Sequence, residues 1–287
     1  MKSFLSLILV LFFLFVFAFA WASFAQANPA ANASQQVPAG QIPASQIPVS
    51  QIPVDQENVR KAKAVLDQAI QALGGQAYLN IQDISQEGRT FSFFHGQPSS
   101  YGIQFWRFYK YPDKDRVELT KKRDVIYVNN GDKGYEITYK GTRAADAKDL
   151  ADYNRRRQFT LDWVLRHWVS DPGVALFYEG AAVAADKPAD QVTLINAKNQ
   201  GVTLFIDSNT HLPIKKTYSW RDPADEQRNT EEEVYDNYRP MQGIMTPFSI
   251  TRYYNGDMSN ERFLTVVNYN QGLSDAKFEA QITYVSK

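Results

Sequence analysis

The 287 residues predict an α+β domain: one curled antiparallel sheet, a half-barrel, with helices covering its concave face. Three observations carry this. Short β-branched and aromatic segments follow one another with turn residues between them and no crossover helices, which is the grammar of an antiparallel meander. Apolar residues at helical spacing occur in only two places, near residue 60 and near residue 160. About a dozen strands in one sheet are too many to stay flat, so the sheet must curl.

The first helix is read from Val59, Ala62, Leu66, Ala69, Ile70 and Leu73, stopped by Gly74-Gly75. Strands are expected over Ile81–Phe94, Tyr101–Tyr111, Arg116–Lys121, Val125–Asn129 and Tyr135–Tyr139. A helical interlude follows, with a polar piece at Ala144–Asn154 and an apolar stripe through Phe159, Trp163, Val164, Leu165 and Trp168. Strands resume at Val174–Tyr178, Gln191–Asn196, Val202–Asp207, Ile214–Trp220, Glu233–Tyr238, Pro247–Tyr254 and Phe263–Tyr269. Together these make a domain over residues 57–287, large enough for a substantial core.

Two segments precede it. Residues 1–27 hold one lysine, an apolar run and Ala25-Gln26-Ala27, the form of an export signal with a small-x-small cleavage site. The run approaches the roughly 20 residues that span a bilayer, so a retained anchor is the alternative to cleavage. Residues 28–56 repeat Gln-Ile-Pro-x-x with period five; the prolines favour an extended, unpacked linker. Such a spacer makes most sense with something on each side, which favours retention of the anchor.

Beyond residue 27 the chain carries 30 basic and 31 acidic side chains, a balance that argues against nucleic acid as a partner. There is no cysteine, hence no disulfide framework, no thiol nucleophile and no site for a lipid anchor. His95, His167 and His211 stand apart from each other and from carboxylates at ligand spacing, so neither a metal nor another cofactor is expected. Nucleophile elbows, phosphate loops and dinucleotide fingerprints are absent from the sequence. Arg155-Arg156-Arg157 and Glu231-Glu232-Glu233 read as solvated surface.

The aromatic strands are more telling. In Gly102–Tyr111 one face holds Ile103, Phe105, Arg107, Tyr109 and Tyr111, and the other Gln104, Trp106, Phe108 and Lys110. Both faces are largely apolar, where a one-sided sheet would alternate. Either helices and loops cover both faces, or one lines an apolar cavity. The expected lining is Phe91, Phe93, Phe105, Trp106, Tyr109 and Tyr127, closed by Phe159, Trp163 and Trp168.

The order of segments resembles the bacterial lipoprotein-sorting carrier superfamily, the LolA/LolB-like proteins. The resemblance is carried by Ala72-Leu73-Gly74-Gly75, Gly88, the strand–turn–strand Phe108–Leu119, the hairpin Val125–Tyr135, and the blocks Leu204–Lys215 and Tyr235–Phe248. It implies a half-barrel that shields an acyl chain or a lipoprotein's lipid in the periplasm, without catalysis. In the classical carrier an arginine before the turn proline holds a lid; here Tyr111 stands in that position, leaving Arg107, Lys110 and Arg116 as candidate substitutes. Besides the lipid ligand, an envelope protein partner is compatible with the tether, and any membrane attachment would come through the retained signal. An interaction module of the same fold is the second reading, and an enzyme on this fold the third.

Overall fold

The computed structural model describes residues 56–284. The signal-like segment 1–27 and nearly all of the Gln-Ile-Pro spacer lie outside the described residues.

Helix α1 (Gln56–Leu73) buries Ala62, Leu66, Ala69, Ile70 and Leu73, one stripe at spacings of three and four. Its outer face is laced by Glu57–Arg60 and Lys63–Asp67 ion pairs, worth a few tenths of a kcal/mol each. The helix stops where Gly74 takes φ +128°; a Cβ there would lie 2.5 Å from the carbonyl oxygen of Gly243, so the turn needs glycine for space as well as conformation. A short turn, α2 (Gln76–Leu79), leads into the sheet.

The strands are β1 (Asp83–Phe94), β2 (Gln97–Pro98), β3 (Ile103–Lys110), β4 (Lys114–Leu119), β5 (Val125–Asn130), β6 (Lys133–Thr138) and β7 (Gly141–Ala144). Helices α3 (Ala147–Arg157) and α4 (Leu161–His167) follow, and then β8 (Ala175–Ala184), β9 (Lys187–Ile195), β10 (Gly201–Asp207), β11 (Pro213–Arg221), β12 (Arg228–Met241), β13 (Ile244–Tyr254) and β14 (Asp257–Tyr269). Every pairing is antiparallel.

The sheet runs β7-β6-β5-β4-β3-β1-β14-β13-β12-β11-β10-β9-β8, with β2 as a spur on β1. The first long strand thus lies at the centre, joined to β3 on one flank and to the last strand on the other. The two meanders end at β7 and β8, and the sheet stays open between them. Helices α3 and α4 form the connection between those two edges, and this places them over the concave face.

Both edges are protected. On β8, the Asn58 side chain donates to the Tyr178 carbonyl and accepts from the Tyr178 amide, each at 2.8 Å. On β7, the Thr142 amide donates to Thr283 Oγ1 at 2.8 Å, and the Thr142 carbonyl accepts from the Thr283 amide at 2.9 Å. In the main core cluster Leu66, Ile70 and Leu73 of α1 and Val164 and Leu165 of α4 meet Val192, Leu194, Val202, Leu204 and Ile206 of the sheet, and a small second cluster joins Ala184, Ala189 and Ile214.

Several boundaries differ from the sequence reading. Strand β8 runs on to Ala184, because a bulge between Tyr178 and Gly180 lets the small-residue stretch Gly180–Ala184 pair with β9. Strand β12 spans Arg228–Met241, so the acidic run lies inside a strand. Strand β7 precedes the polar helix, which starts three residues later than expected, at Ala147.

Gly88 sits beside a register shift at the meeting of β1 and β14. A Cβ at Gly88 would lie 2.2 Å from the Phe263 carbonyl oxygen and 3.1 Å from the Leu264 Cα, both backbone. Gly88→Ala should therefore push the two central strands apart and cost about 1–3 kcal/mol. Thermal melting should show it, and an unchanged Tm would contradict this packing.

Candidate functional site

The concave face and helix α3 enclose a cavity of about 630 Å³. Strand alternation decides what it sees. From β3 and β4 come Phe105, Arg107, Tyr109, Asp115, Val117 and Leu119. Across the centre, β11 to β14 contribute Lys216, Tyr218, Glu231, Glu233, Tyr235, Ile250, Arg252 and Arg262. The walls are amphipathic: aliphatic and tyrosine surface alternates with charge, where the sequence led us to expect an apolar lining.

Most of that charge is internally compensated. Arg107 donates two parallel bonds to Asp115, both at 2.9 Å. Arg143 is bonded to Glu136 and Asp146. Lys216, only 2% exposed, donates to Glu233 at 2.8 Å and to the Phe159 carbonyl at 2.6 Å. Arg252 takes the other Glu233 oxygen at 2.6 Å. These pairs follow from register, since Lys216, Glu233 and Arg252 are neighbours across β11, β12 and β13.

The two charge runs therefore do not form solvated surface. Period two sends Glu231 and Glu233 into the cavity and turns Glu232 outward onto Lys215. Arg155 reaches from α3 to Glu231 at 2.9 Å and lies over the Trp220 ring at 3.3 Å. Arg156 and Arg157 line the roof.

Helix α3 buries no residue at all. It is held over the cavity by polar contacts, Arg155 to Glu231 and Tyr153 Oη to Asp115 at 3.3 Å. Helix α4 is fixed differently. It buries Leu161, Val164 and Leu165, and its Asp162 accepts from the hydroxyls of Tyr78 and Tyr111, both at 2.9 Å. Tyr111 thus ties the sheet to α4.

Of the expected site residues, Phe105, Tyr109 and Tyr127 are in the lining and Arg107 projects into the cavity. Trp106 alternates to the other face, where Arg123 covers its ring at 4.0 Å. Phe91 and Phe93 lie on the opposite side of β1 from the lining residue Thr90; Phe91 meets Phe263 edge-on at 5.9 Å. Phe159 is packed in the core, stacked on Tyr218 at 4.2 Å and edge-on to Trp168 at 5.6 Å. Trp163 packs on His167 at 4.1 Å. Lys110 pairs with Asp275 and Arg116 with Glu118, both away from the cavity.

Burial and nearby carboxylates push the Tyr109, Tyr153 and Tyr218 hydroxyls above their ordinary range, so they act as neutral donors rather than bases. Burial alone would raise the Glu233 carboxyl, but Lys216 and Arg252 hold it well below its ordinary value. Among the described residues no cluster of three histidine or carboxylate side chains is placed to hold a metal ion.

The described part of the chain superposes on a DUF1329 family protein from Desulfovibrio piger ATCC 29098 with TM-score 0.54 at 15% identity, over 76% of this chain and 97% of that one. The described residues share the fold of that protein. Two other solved structures overlap less closely. They are LolA superfamily protein NE2245 from Nitrosomonas europaea (TM-score 0.47, 12% identity) and a putative outer membrane lipoprotein-sorting protein domain from Vibrio parahaemolyticus (TM-score 0.49, 10% identity); each match covers 76% of this chain and 97% of that one. No family model and no curated protein matches the sequence.

Sequence reasoning missed Asp115, Tyr153, Lys216, Glu233, Arg252 and Arg262. A signal was present: Lys216 with Tyr218, and Glu231 with Glu233 and Tyr235, place charge and aromatic rings on one face of a strand.

Proposed function

We propose that the protein is a non-enzymatic carrier or sensor of the cell envelope that binds an amphipathic lipid, an acyl chain or the lipid of a lipoprotein, in the cavity under α3. The observation that carries this reading is a cavity of about 630 Å³ whose walls are neither filled nor uniformly polar. Phe105, Val117, Leu119 and Ile250 offer apolar contact beside the charged pairs. Burial at ~25 cal/mol per Å² makes one long acyl tail worth several kcal/mol without any catalytic group. Export is supported by the signal-like residues 1–27. Among the described residues no helix is long and apolar enough to cross a membrane.

Native mass spectrometry of the protein released gently from its own envelope tests the reading, with co-purified lipid as the expected result. Protein that is ligand-free and also fails to bind a fluorescent fatty acid would sink it. Helix α3, lacking buried side chains, should exchange its amide hydrogens faster than α1 and α4 and gain protection when a fatty acid is added. Equal exchange in the three helices, or no gain on α3, would contradict its role as the cover.

A further inference from the structure

The charge pairing leaves a remainder. Arg262 lies at the centre of the sheet, in register with Thr90 of β1 and Ile250 of β13, where the two meanders join. It lines the cavity, yet its side chain makes no hydrogen bond or ion pair with a described residue. Arg107 and Arg252, the cations that act on it, already have carboxylates of their own in Asp115 and Glu233. Desolvation, followed by the like charge of Arg252 and Arg107, outweighs the attraction of Glu233 and Asp115 and pushes its guanidinium down to about 10, still protonated at neutral pH. From the roof, Arg157 also lines the cavity, and its buried Nη1 has no partner. Of the lining carboxylates, Asp115 is held by Arg107, Glu233 by Lys216 and Arg252, Glu136 and Asp146 by Arg143, Asp152 and Glu231 by Arg155, and Asp162 by Tyr78 and Tyr111; Asp149 lines the cavity from helix α3.

Arg262 is half-buried, facing the cavity with no direct partner, and the five donors of its planar fork match a carboxylate or a phosphate. We propose that the ligand is an anionic amphiphile whose carboxylate or phosphate head is bound by Arg262 and Arg157, with its tail along Phe105, Leu119 and Ile250. This rests on the lipid-binding reading and narrows it: a neutral lipid would leave Arg262 uncompensated. The head enters the cavity rather than remaining at its mouth. The pairing of Arg262 with Thr90 and Ile250 places it on the floor of the sheet, not on the rim.

Isothermal titration calorimetry on the full chain separates the possibilities. The probes are dodecanoate and dodecyl phosphate, dodecanol with the same tail and no charge, and inorganic phosphate with no tail. The expected result is binding of both charged amphiphiles at least about tenfold tighter than dodecanol, and of inorganic phosphate far more weakly than dodecyl phosphate. Arg262→Met should reduce the preference for the charged probes over dodecanol to within about threefold; Arg262→Lys should keep part of it. Equal affinity for the charged and neutral probes in the unaltered protein overturns this inference but leaves the lipid reading standing. No binding of any twelve-carbon probe overturns both. Inorganic phosphate binding as tightly as dodecyl phosphate overturns the amphiphile and leaves an anion site. Because the head-group comparison uses the unaltered protein, it decides the matter even if Arg262→Met fails to fold. A well-folded Arg262→Met that keeps the full preference also overturns the assignment.

Discussion

Glu233→Ala is expected to destabilise the domain by about 3–5 kcal/mol, the usual cost of removing one member of a buried charge network. Glu233 is the acceptor on which four donors converge. Its Oε2 takes Lys216 Nζ at 2.8 Å and Tyr235 Oη at 2.6 Å, and its Oε1 takes Arg252 Nε at 3.2 Å and Nη2 at 2.6 Å. Without it, the 2%-exposed Lys216 keeps only the Phe159 carbonyl. Because the Glu233 carboxyl is held below its ordinary value of 4.5, its contribution is fully present above about pH 4.5 and is lost as pH falls through the folded-state value. Lys216 is depressed by burial below its ordinary 10.5, so it contributes stability that rises with pH between the folded value and 10.5. Denaturant titrations across pH should show a steeper acid-side loss in the unaltered protein than in Glu233→Ala. A variant within 1 kcal/mol of the original at pH 7 would contradict this account. Exchanging Lys216, Glu233 and Arg252 together for apolar residues of similar volume should recover much of the loss, since the triad costs desolvation as well as supplying attraction.

The second large effect belongs to Phe159→Ala, expected to cost about 3–5 kcal/mol. Phe159 is 1% exposed, in the junction between α3 and α4. Its ring stacks on Tyr218 at 4.2 Å with an interplanar angle of 9°, and meets Trp168 edge-on at 5.6 Å. Its carbonyl also accepts from Lys216, so the residue joins the apolar core to the charge network of the cavity wall. For a domain of this size the loss corresponds to a fall in Tm of roughly 6–20 °C. The next residue, Thr160, caps α4 by accepting from the Trp163 amide at 3.3 Å, and that cap is independent of the Phe159 ring. The variant should therefore melt early while keeping most of its helical circular dichroism at low temperature. A Tm change under 2 °C would show that the ring is not part of the tightly packed core.

The half-barrel was legible because its signals are local. The stripe Ala62–Leu73 and the stop at Gly74 dictate α1 without reference to any partner, and the turn residues between aromatic runs mark off the strands one by one. The strands that run furthest past their expected bounds, β8, β12 and β14, gain residues of low intrinsic β-preference: small at Gly180–Ala184, polar at Arg228–Glu232 and at Asp257–Arg262. They are strands because a neighbour in register completes them, and that information lies in the adjacent strand rather than in their own residues.

The site was harder to read for a related reason. Large apolar side chains suggested a greasy lining, yet Trp106, Phe91 and Phe159 have been claimed by the far face and the core. What faces the cavity is a lattice of charges whose meaning appears only once Lys216, Glu233 and Arg252 stand side by side. Arg155-Arg156-Arg157 looked like solvated surface because a charge run in isolation has no partner. Over Glu231 and Trp220 it becomes part of a lid.

The measurement that bears most directly on the central claim is photo-crosslinking of a diazirine-bearing fatty acid, followed by peptide mapping of the labelled sites. Label on the concave strands and α3, at Tyr127, Leu150, Tyr153 and Ile250, is the predicted result. Label confined to the other face of the sheet, around Phe91, Phe93, Trp106 and Phe263, would contradict it.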